Sequence, residues 1–374
     1  NNGEYALTSR IFPQAGETHL FIEGNQGEYI GNYWELRSSS QNEGVQTMAI
    51  KLTDVAKKAG VSPTTVSRVI NNYGSLSQKT IDKVHAAMKE LNYQPNSLAR
   101  SLQGKNTQLI GLIFPTVANP FFGELVEKLE TKFFKRGYKS ILCDSANNKE
   151  KEQAYLNMLA ANKVDGIIAG AHNLGIKEYE QVDLPIVSFD RALADSIPIV
   201  GGDNYQGGYL ATEYLFSQGA KKIGIITGSN ASDSPTNNRL HGYRDFLKTK
   251  NLTEHIYRFE SFEHSLALKT MRLKRILEEE DIDSLFCTDD LTAILVYNLC
   301  QELRRAIPEE LKLIGYDGTR FIQNYFPQLT TIGQPIDELA ELLVELLIQR
   351  ITYPDKQLES AYKLPVKVLP SQTT

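Results

Sequence analysis

Residues 52–72 read LTDVAKKAGVSPTTVSRVINN, and this stretch decides how the N-terminal part of the chain folds. Leu52, Val55, Ala56 and Ala59 recur at helical spacing and give one apolar stripe. Gly60 ends that helix. Ser62 suits the cap of the next one and Pro63 its first position, where a missing N–H is no loss. Val66, Val69 and Ile70 turn the second helix inward. The pattern is that of a helix–turn–helix, whose second helix meets base edges and phosphates in the DNA major groove. The residues placed to do so are Leu52 and Thr53 from the first helix and Ser62, Pro63, Thr64, Thr65, Ser67, Arg68 and Asn71 from the second.

A third helix is expected from Ser77 to Leu91, with Ile81, Val84, Met88 and Leu91 as its core face. The run Tyr93-Gln94-Pro95-Asn96-Ser97-Leu98-Ala99-Arg100-Ser101-Leu102 follows. From Lys51 to Thr107 these residues resemble the LacI/GalR transcription regulators, on the pattern DVAxxAGVSxxTVSRVIN…YxPNxxARSL. The resemblance implies that the last segment is a hinge, which becomes a short helix when two subunits sit on an operator. It also implies that Leu102, with Ala99 beside it, enters the minor groove, and that Tyr93 and Asn96 join the DNA contact. An apolar wedge in a base step loses stacking and gains a bent duplex with more contact.

Bulk properties agree with a DNA reader joined to a separate body. The chain has 374 residues, 41% hydrophobic and 23% charged, with a formal net charge of −5. That length suits two or three domains. Between residues 48 and 107, nine basic groups (Lys51, Lys57, Lys58, Arg68, Lys79, Lys83, Lys89, Arg100, Lys105) face three acidic ones (Asp54, Asp82, Glu90). This local surplus coincides with the helix–turn–helix, as an electrostatic footprint for nucleic acid should. Cys143, Cys287 and Cys300 lie far apart and read as buried free thiols of a reducing compartment. No secretory signal and no membrane-length apolar run is seen, so a cytoplasmic protein with no membrane partner is expected.

Residues 1–47 read differently. GEYALTSRIFPQ, THLFIEG and GNYWELRSS alternate apolar and polar residues between turn signals, as short antiparallel strands do. SRIFP, FIEG and YWEL resemble the C-terminal end of the β-sandwich of family 32 glycoside hydrolases, without the catalytic carboxylate motifs. So few strands are not expected to fold alone. The leader looks like the tail of a neighbouring reading frame ahead of Met48, and such a neighbour would tie the regulator to sucrose use.

From Gln108 onward, β-branched runs alternate with amphipathic helices. LIGLIF (109–114), KSILC (139–143), VDGIIAG (164–170) and LPIVSF (184–189) read as one set of buried parallel strands. KKIGIITG, IDSLFCT and LKLIGYD read as a second set, and a last strand is expected near 362–368. Two sets imply two α/β lobes with parallel sheets and a cleft at the strands' carboxyl ends. IGLIFPTVANPFF, VDGII, FDR, NNRLHGY, FCTDDLTA and IGYDG…PQLTTIGQP resemble the periplasmic-binding-protein-like sensor of the same LacI/GalR regulators. Asp190, Asp289 and Asp317 follow strands of this body, and Arg239 opens a helix. The resemblance makes Asp190 a ligand-contacting carboxylate and Arg239 a sugar-clamping arginine. Asp289 and Asp317 offer acceptors, Phe122 and Phe262 apolar faces, and Gln334 lies at a lobe crossover. Asp290 reads instead as a helix cap, and one of Phe121 and Phe122 as plain core. Gly318 and Ile294-Leu295 depart from the family pattern and are expected to alter a rim contact and a helix packing.

No dinucleotide fingerprint, P-loop, metal-ligand spacing or nucleophile–base set is found, so no enzyme, cofactor or metal site is expected. The expected organisation is a leader at 1–47, an all-α DNA-binding domain at 48–94, a hinge at 95–107 and a two-lobed sensing and dimerisation domain at 108–374. The expected function is that of a homodimeric repressor on a palindromic operator, released by sucrose, sucrose 6-phosphate or fructose. Its rivals are a family member that uses a corepressor or phosphoprotein partner, a sugar-binding receptor and a glycoside hydrolase.

Overall fold

The computed structural model describes residues 50–70, 73–93, 106–170, 173, 175–228, 237–259 and 265–374, with the backbone of residues 22–24 and 27–29. The chain divides into two compact units, Asn1–Pro95 and Asn96–Thr374.

In the first unit, β1 (Ile22–Gly24) pairs antiparallel with β2 (Gly27–Tyr29). Three helices follow: α1 (Leu52–Ala59), α2 (Pro63–Ile70) and α3 (Gln78–Glu90). The Asp54 carboxylate accepts from Lys51 N at 2.8 Å and closes the first turn of α1. Gly60 stops that helix in the left-handed conformation, which a side chain would resist. Ser62 Oγ accepts from Thr65 N at 3.1 Å ahead of α2, and Ser77 Oγ accepts from Thr80 N at 3.3 Å ahead of α3. Val55, Ala56, Ala59, Val66, Val69, Val84 and Ala87 form the core between the three helices. Leu52, Ile81, Met88 and Leu91 pack at its margin, as their spacing predicts.

The second unit is two lobes, each a six-stranded sheet. The first lobe contains β3 (Leu109–Phe114), α4 (Pro120–Lys135), β4 (Lys139–Asp144), α5 (Lys149–Ala161), β5 (Gly166–Ala169), α6 (Glu178–Gln181), β6 (Ile186–Phe189) and β7 (Ile199–Gly202). The second contains α7 (Asn204–Ser217), β8 (Ile223–Gly228), α8 (Asn238–Lys250), β9 (His255–Phe259), α9 (Leu266–Glu279), β10 (Ser284–Cys287), α10 (Asp290–Leu303), β11 (Lys312–Asp317), α11 (Arg320–Tyr325) and β12 (Thr330–Gly333). Then α12 (Ile336–Thr352) and β13 (Ala361–Leu364) return to the first lobe, and β14 (Lys367–Leu369) to the second.

The first sheet runs β13-β7-β6-β5-β3-β4, with every pairing parallel. The second runs β14-β12-β11-β10-β8-β9 and is parallel except at β14. Leu339, Leu343 and Leu347 of α12 pack with Ile110, Leu129 and Val187 in the first-lobe core. Ala211 and Leu215 of α7 pack with Ile225 and Tyr316 in the second. The chain therefore crosses between lobes after Gly202, after Gly333 and after Leu364, which gathers the carboxyl ends of both sheets around three neighbouring strands of backbone.

The two-set expectation holds, with differences. The last strand expected near 362–368 is two strands in different sheets, divided at Pro365, which donates no ladder hydrogen bond. Cys143, Cys287 and Cys300 are buried free thiols. Burial pushes the Cys143 thiol up to about 11, so it stays protonated and inert. Among the described residues no helix is long and apolar enough to cross a membrane.

Candidate functional site

The exposed side of the helix–turn–helix carries Thr53 of α1, Ser62 ahead of α2, and Pro63, Thr64 and Arg68 of α2, with Thr65 and Ser67 half-buried. Tyr73 N donates to Arg68 O at 2.9 Å. This is a short polar face at the start of a helix, with hydroxyl donors and acceptors beside a guanidinium.

In the two-lobed unit, the polar groups converge where the chain first crosses. Asp190 follows β6 with φ of +56°, its N donating to Val200 O at 2.9 Å. Asn204, the first residue of α7, donates from Nδ2 to Asp190 Oδ1 at 2.8 Å and accepts from Arg239 Nε at 2.7 Å. Arg239 comes from the second lobe, donates from Nη1 to Thr288 O at 2.6 Å, and lies 3.6 Å above the Tyr316 ring centroid. That stacked placement holds a cation against an aromatic face in a nearly dry setting. Gly208 of α7 lets α8 approach, because a Cβ there would collide with the Arg239 carbonyl. Across the site, Asp317 Oδ1 accepts from Gln334 Nε2 at 2.9 Å, and Gln334 N donates to Asp317 O at 3.0 Å.

Burial raises the Asp190 carboxyl, and the Arg239 and Arg191 cations and the Asn204 amide pull it back. Burial also pushes Asp317 up to about 7 against the pull of Arg239 and Gln334, with Asp289 and Asp190 adding to the rise. A cavity of about 130 Å³ opens beside these groups, lined by Asp190, Gly201, Gly202, Asn204, Asn238 and Lys363 among others. Asp190, Asn204 and Asn238 bring a carboxylate and two amides to that space, and Arg239 reaches it only through Asn204; oriented donors and acceptors of this kind suit a polyol.

The family model for bacterial regulatory proteins of the lacI family matches residues 51–96, and that for a periplasmic binding protein-like domain matches residues 212–374. The sucrose operon repressor of Pediococcus pentosaceus is 56% identical over 322 residues, covering 86% of this chain and 98% of that protein. The sucrose operon repressor of Streptococcus mutans is 52% identical over 326 residues, 87% of this chain and all of that one. The chain belongs to the LacI family. Among solved structures, the lac repressor dimer bound to operator and the anti-inducer ONPF superposes on this LacI-family chain with a TM-score of 0.73 at 26% identity, covering 87% of this chain and 98% of that one.

Of the expected cleft residues, Asp190, Arg239, Asp317 and Gln334 lie in this constellation. Phe122 is half-buried at the start of α4, its ring 6.0 Å from Phe114 and 5.5 Å from Phe121, while Phe121 is plain core. The cap expected at Asp290 is instead supplied by Asp289, whose oxygens accept from Thr292 N at 2.7 Å and Thr292 Oγ1 at 2.6 Å. Asp290 is 2% exposed and accepts from Gly318 N at 2.7 Å and Thr331 Oγ1 at 2.6 Å. Burial first, then Asp317, holds its carboxyl well above the ordinary range. Gly318 stands at φ of +62° against Gly333, so its departure from the family pattern lies at the second crossover. Ile294 and Leu295 pack at the margin of the second-lobe core. Asn71, Asn96, Ala99, Leu102 and Phe262 lie outside the described residues, as do most of the leader and the hinge. Asn204, Thr288 and Tyr316 were not singled out by sequence. An Asn just inside a helix start reads as part of a cap, and a backbone carbonyl or a buried ring carries no signal at all.

Proposed function

We propose that this chain represses a sucrose operon by binding a palindromic operator as a homodimer, and that sucrose or a derivative entering the cleft releases it. The observation that carries this reading is the identity of half or more with sucrose operon repressors over nearly their full length. The helix–turn–helix supplies the reader: Thr64, Thr65, Ser67 and Arg68 would meet base edges, with Leu52, Thr53, Ser62, Pro63 and Asn71 around them. Tyr93, Asn96, Ala99 and Leu102 take the hinge contacts that the family resemblance gives them. Two-fold symmetry of the dimer imposes the two-fold symmetry of the site.

The cleft supplies the switch. Asp190 belongs to the first lobe, Arg239 and Asp317 to the second, and Gln334 to a crossover. A sugar bridging them binds one lobe arrangement better than another, and that difference is the coupling energy, typically ~1–3 kcal/mol. Action on DNA and response to a small sugar fit a cytoplasmic protein. Residues 1–47 stand outside this reading as the tail of a neighbouring frame; N-terminal sequencing of the cellular protein should find Met48 first.

The test is calorimetry of the purified chain against sucrose, sucrose 6-phosphate and fructose, paired with operator-binding titrations in each sugar. Binding of one of them with weakened operator affinity is expected. Tightened operator binding would make the sugar a corepressor, and indifference to all three would remove the sucrose reading.

A further inference from the structure

We propose that Asn204 is a positioning residue that sets the sugar-binding geometry of both Asp190 and Arg239. The inference rests on the sugar-sensing reading of the cleft and adds to it a residue that touches the effector's holders. Asn204 is 4% exposed and uses both ends of its amide: Nδ2 donates to Asp190 Oδ1 at 2.8 Å and to Gly202 O at 3.1 Å, and Oδ1 accepts from Arg239 Nε at 2.7 Å. Its place is forced. Asp203 Oδ1 accepts from Gln206 N at 2.9 Å and starts α7, and the α7–α8 contact at Gly208 leaves no room for sliding.

A buried carboxylate and guanidinium with no intermediary close into a direct bidentate pair. The amide prevents that closure by offering each its complement. Only a group with a donor and an acceptor on one rigid plane does both, and Asn is the shortest such side chain. Arg239 then spends Nε and Nη1 on Asn204 and Thr288, which fixes the direction of the whole guanidinium.

The experiment exploits a chemical likeness. A protonated carboxyl has the same donor–acceptor pair as the amide, whereas a carboxylate has only acceptors. The charged groups around the amide are Asp203 on its own helix, Asp190 and Arg191 after β6, Arg239 on α8, Asp317 on β11 and Lys363 on β13. Sucrose affinity is measured by calorimetry from about pH 8 to 5 for the wild type, Asn204→Ala and Asn204→Asp, with melting and operator affinity as checks. Asn204→Ala should weaken sucrose binding by roughly tenfold to a hundredfold at every pH, the scale of hydrogen bonds to charged groups. Asn204→Asp should match that loss at pH 8 and regain affinity relative to the wild type as the introduced carboxyl takes a proton. Melting and sugar-free operator affinity are read alongside, and a fall in sucrose affinity that merely tracks a loss of fold or a shifted lobe equilibrium overturns the positioning role. Wild-type affinity in Asn204→Ala, or an Asn204→Asp deficit that is flat with pH, overturns the positioning role while leaving the functional reading intact. A wild-type chain that ignores sucrose overturns both.

Discussion

At the level of single residues, the cleft spends stability on function. Asp317 has its carboxyl pushed to about 7 from an ordinary 3.8, chiefly by burial. Between about pH 4 and 7 the native chain therefore holds a proton that the unfolded chain has shed, and stability falls as pH rises through that window. Asn at this position keeps an oxygen acceptor for Gln334 and removes the charge. Asp317→Asn is expected to melt a few degrees above the wild type at pH 8, with the gap closing towards pH 4; a gap independent of pH would contradict the assignment. Arg239 is the opposite case, since its guanidinium is held from both sides. Arg239→Ala should still bind operator but lose release by sugar, and normal release in an operator assay would refute the clamp. The places of Asp190, Arg239 and Asp317 at strand ends and a helix start are legible by pattern, whereas the ligand roles of Asp190 and Arg239 come from the family resemblance. The exchange of roles between Asp289 and Asp290 is not legible. Two adjacent carboxylates offer the same cap chemistry, and only the fold decides which one faces Thr292 and which is buried under Gly318 and Thr331.

Among helices and strands, sequence pattern places the third helix, expected from Ser77 to Leu91, within a residue of α3 but misses β7, β9 and β12. β7 has two apolar residues followed by Gly201-Gly202, β12 is Thr-Thr-Ile-Gly, and β9 is His-Ile-Tyr-Arg-Phe, mostly half-buried at the sheet's edge. Burial from the neighbouring strands, rather than intrinsic preference, makes them strands. Contacts between elements lead to two further expectations. Ser62 caps α2 through Thr65 N, so Ser62→Ala should lose about 1 kcal/mol of local stability, read as faster amide exchange in the first turn of α2. Across the lobes, Arg320 at the start of α11 pairs with Glu124 at 3.0 Å and with Glu127 at 2.5 Å, both on α4, and its backbone N donates to Glu124 at 2.8 Å. The Glu124 side chain is 11% exposed and that of Arg320 55%, so solvent screens the pair and its worth stays within the ~0.2–1 kcal/mol of surface bridges. Arg320→Ala and Glu124→Ala should each ease lobe separation, seen as faster exchange at the starts of α4 and α11. The double substitution should add little to either single one, and strict additivity would show that the two do not share a contact.

Over the whole molecule, charge is distributed against its average. The chain is acidic overall, yet its basic groups crowd into residues 48–107, where Lys51, Lys57, Arg68, Lys79, Lys83 and Lys89 are exposed around the three-helix core. Lys58 is engaged with Glu90 at 3.0 Å and contributes less to the outward field. The acidic two-lobed body repels phosphate, so attraction to DNA must come from this module alone and should be strongly screened. Each phosphate neutralised releases counterions, and log affinity then falls in proportion to log salt. Two modules on one palindrome double the number of such contacts. Operator affinity is accordingly expected to drop by about a thousandfold or more between 50 and 200 mM monovalent salt, whereas sugar affinity, set inside the cleft by buried partners, should move little over the same range. Fluorescence titrations of both ligands on one preparation test this. A flat operator titration would mean that the basic surplus does not face the duplex. An equally steep sugar titration would place the effector's holders in solvent rather than in the buried crossover where Asp190, Asn204 and Arg239 meet.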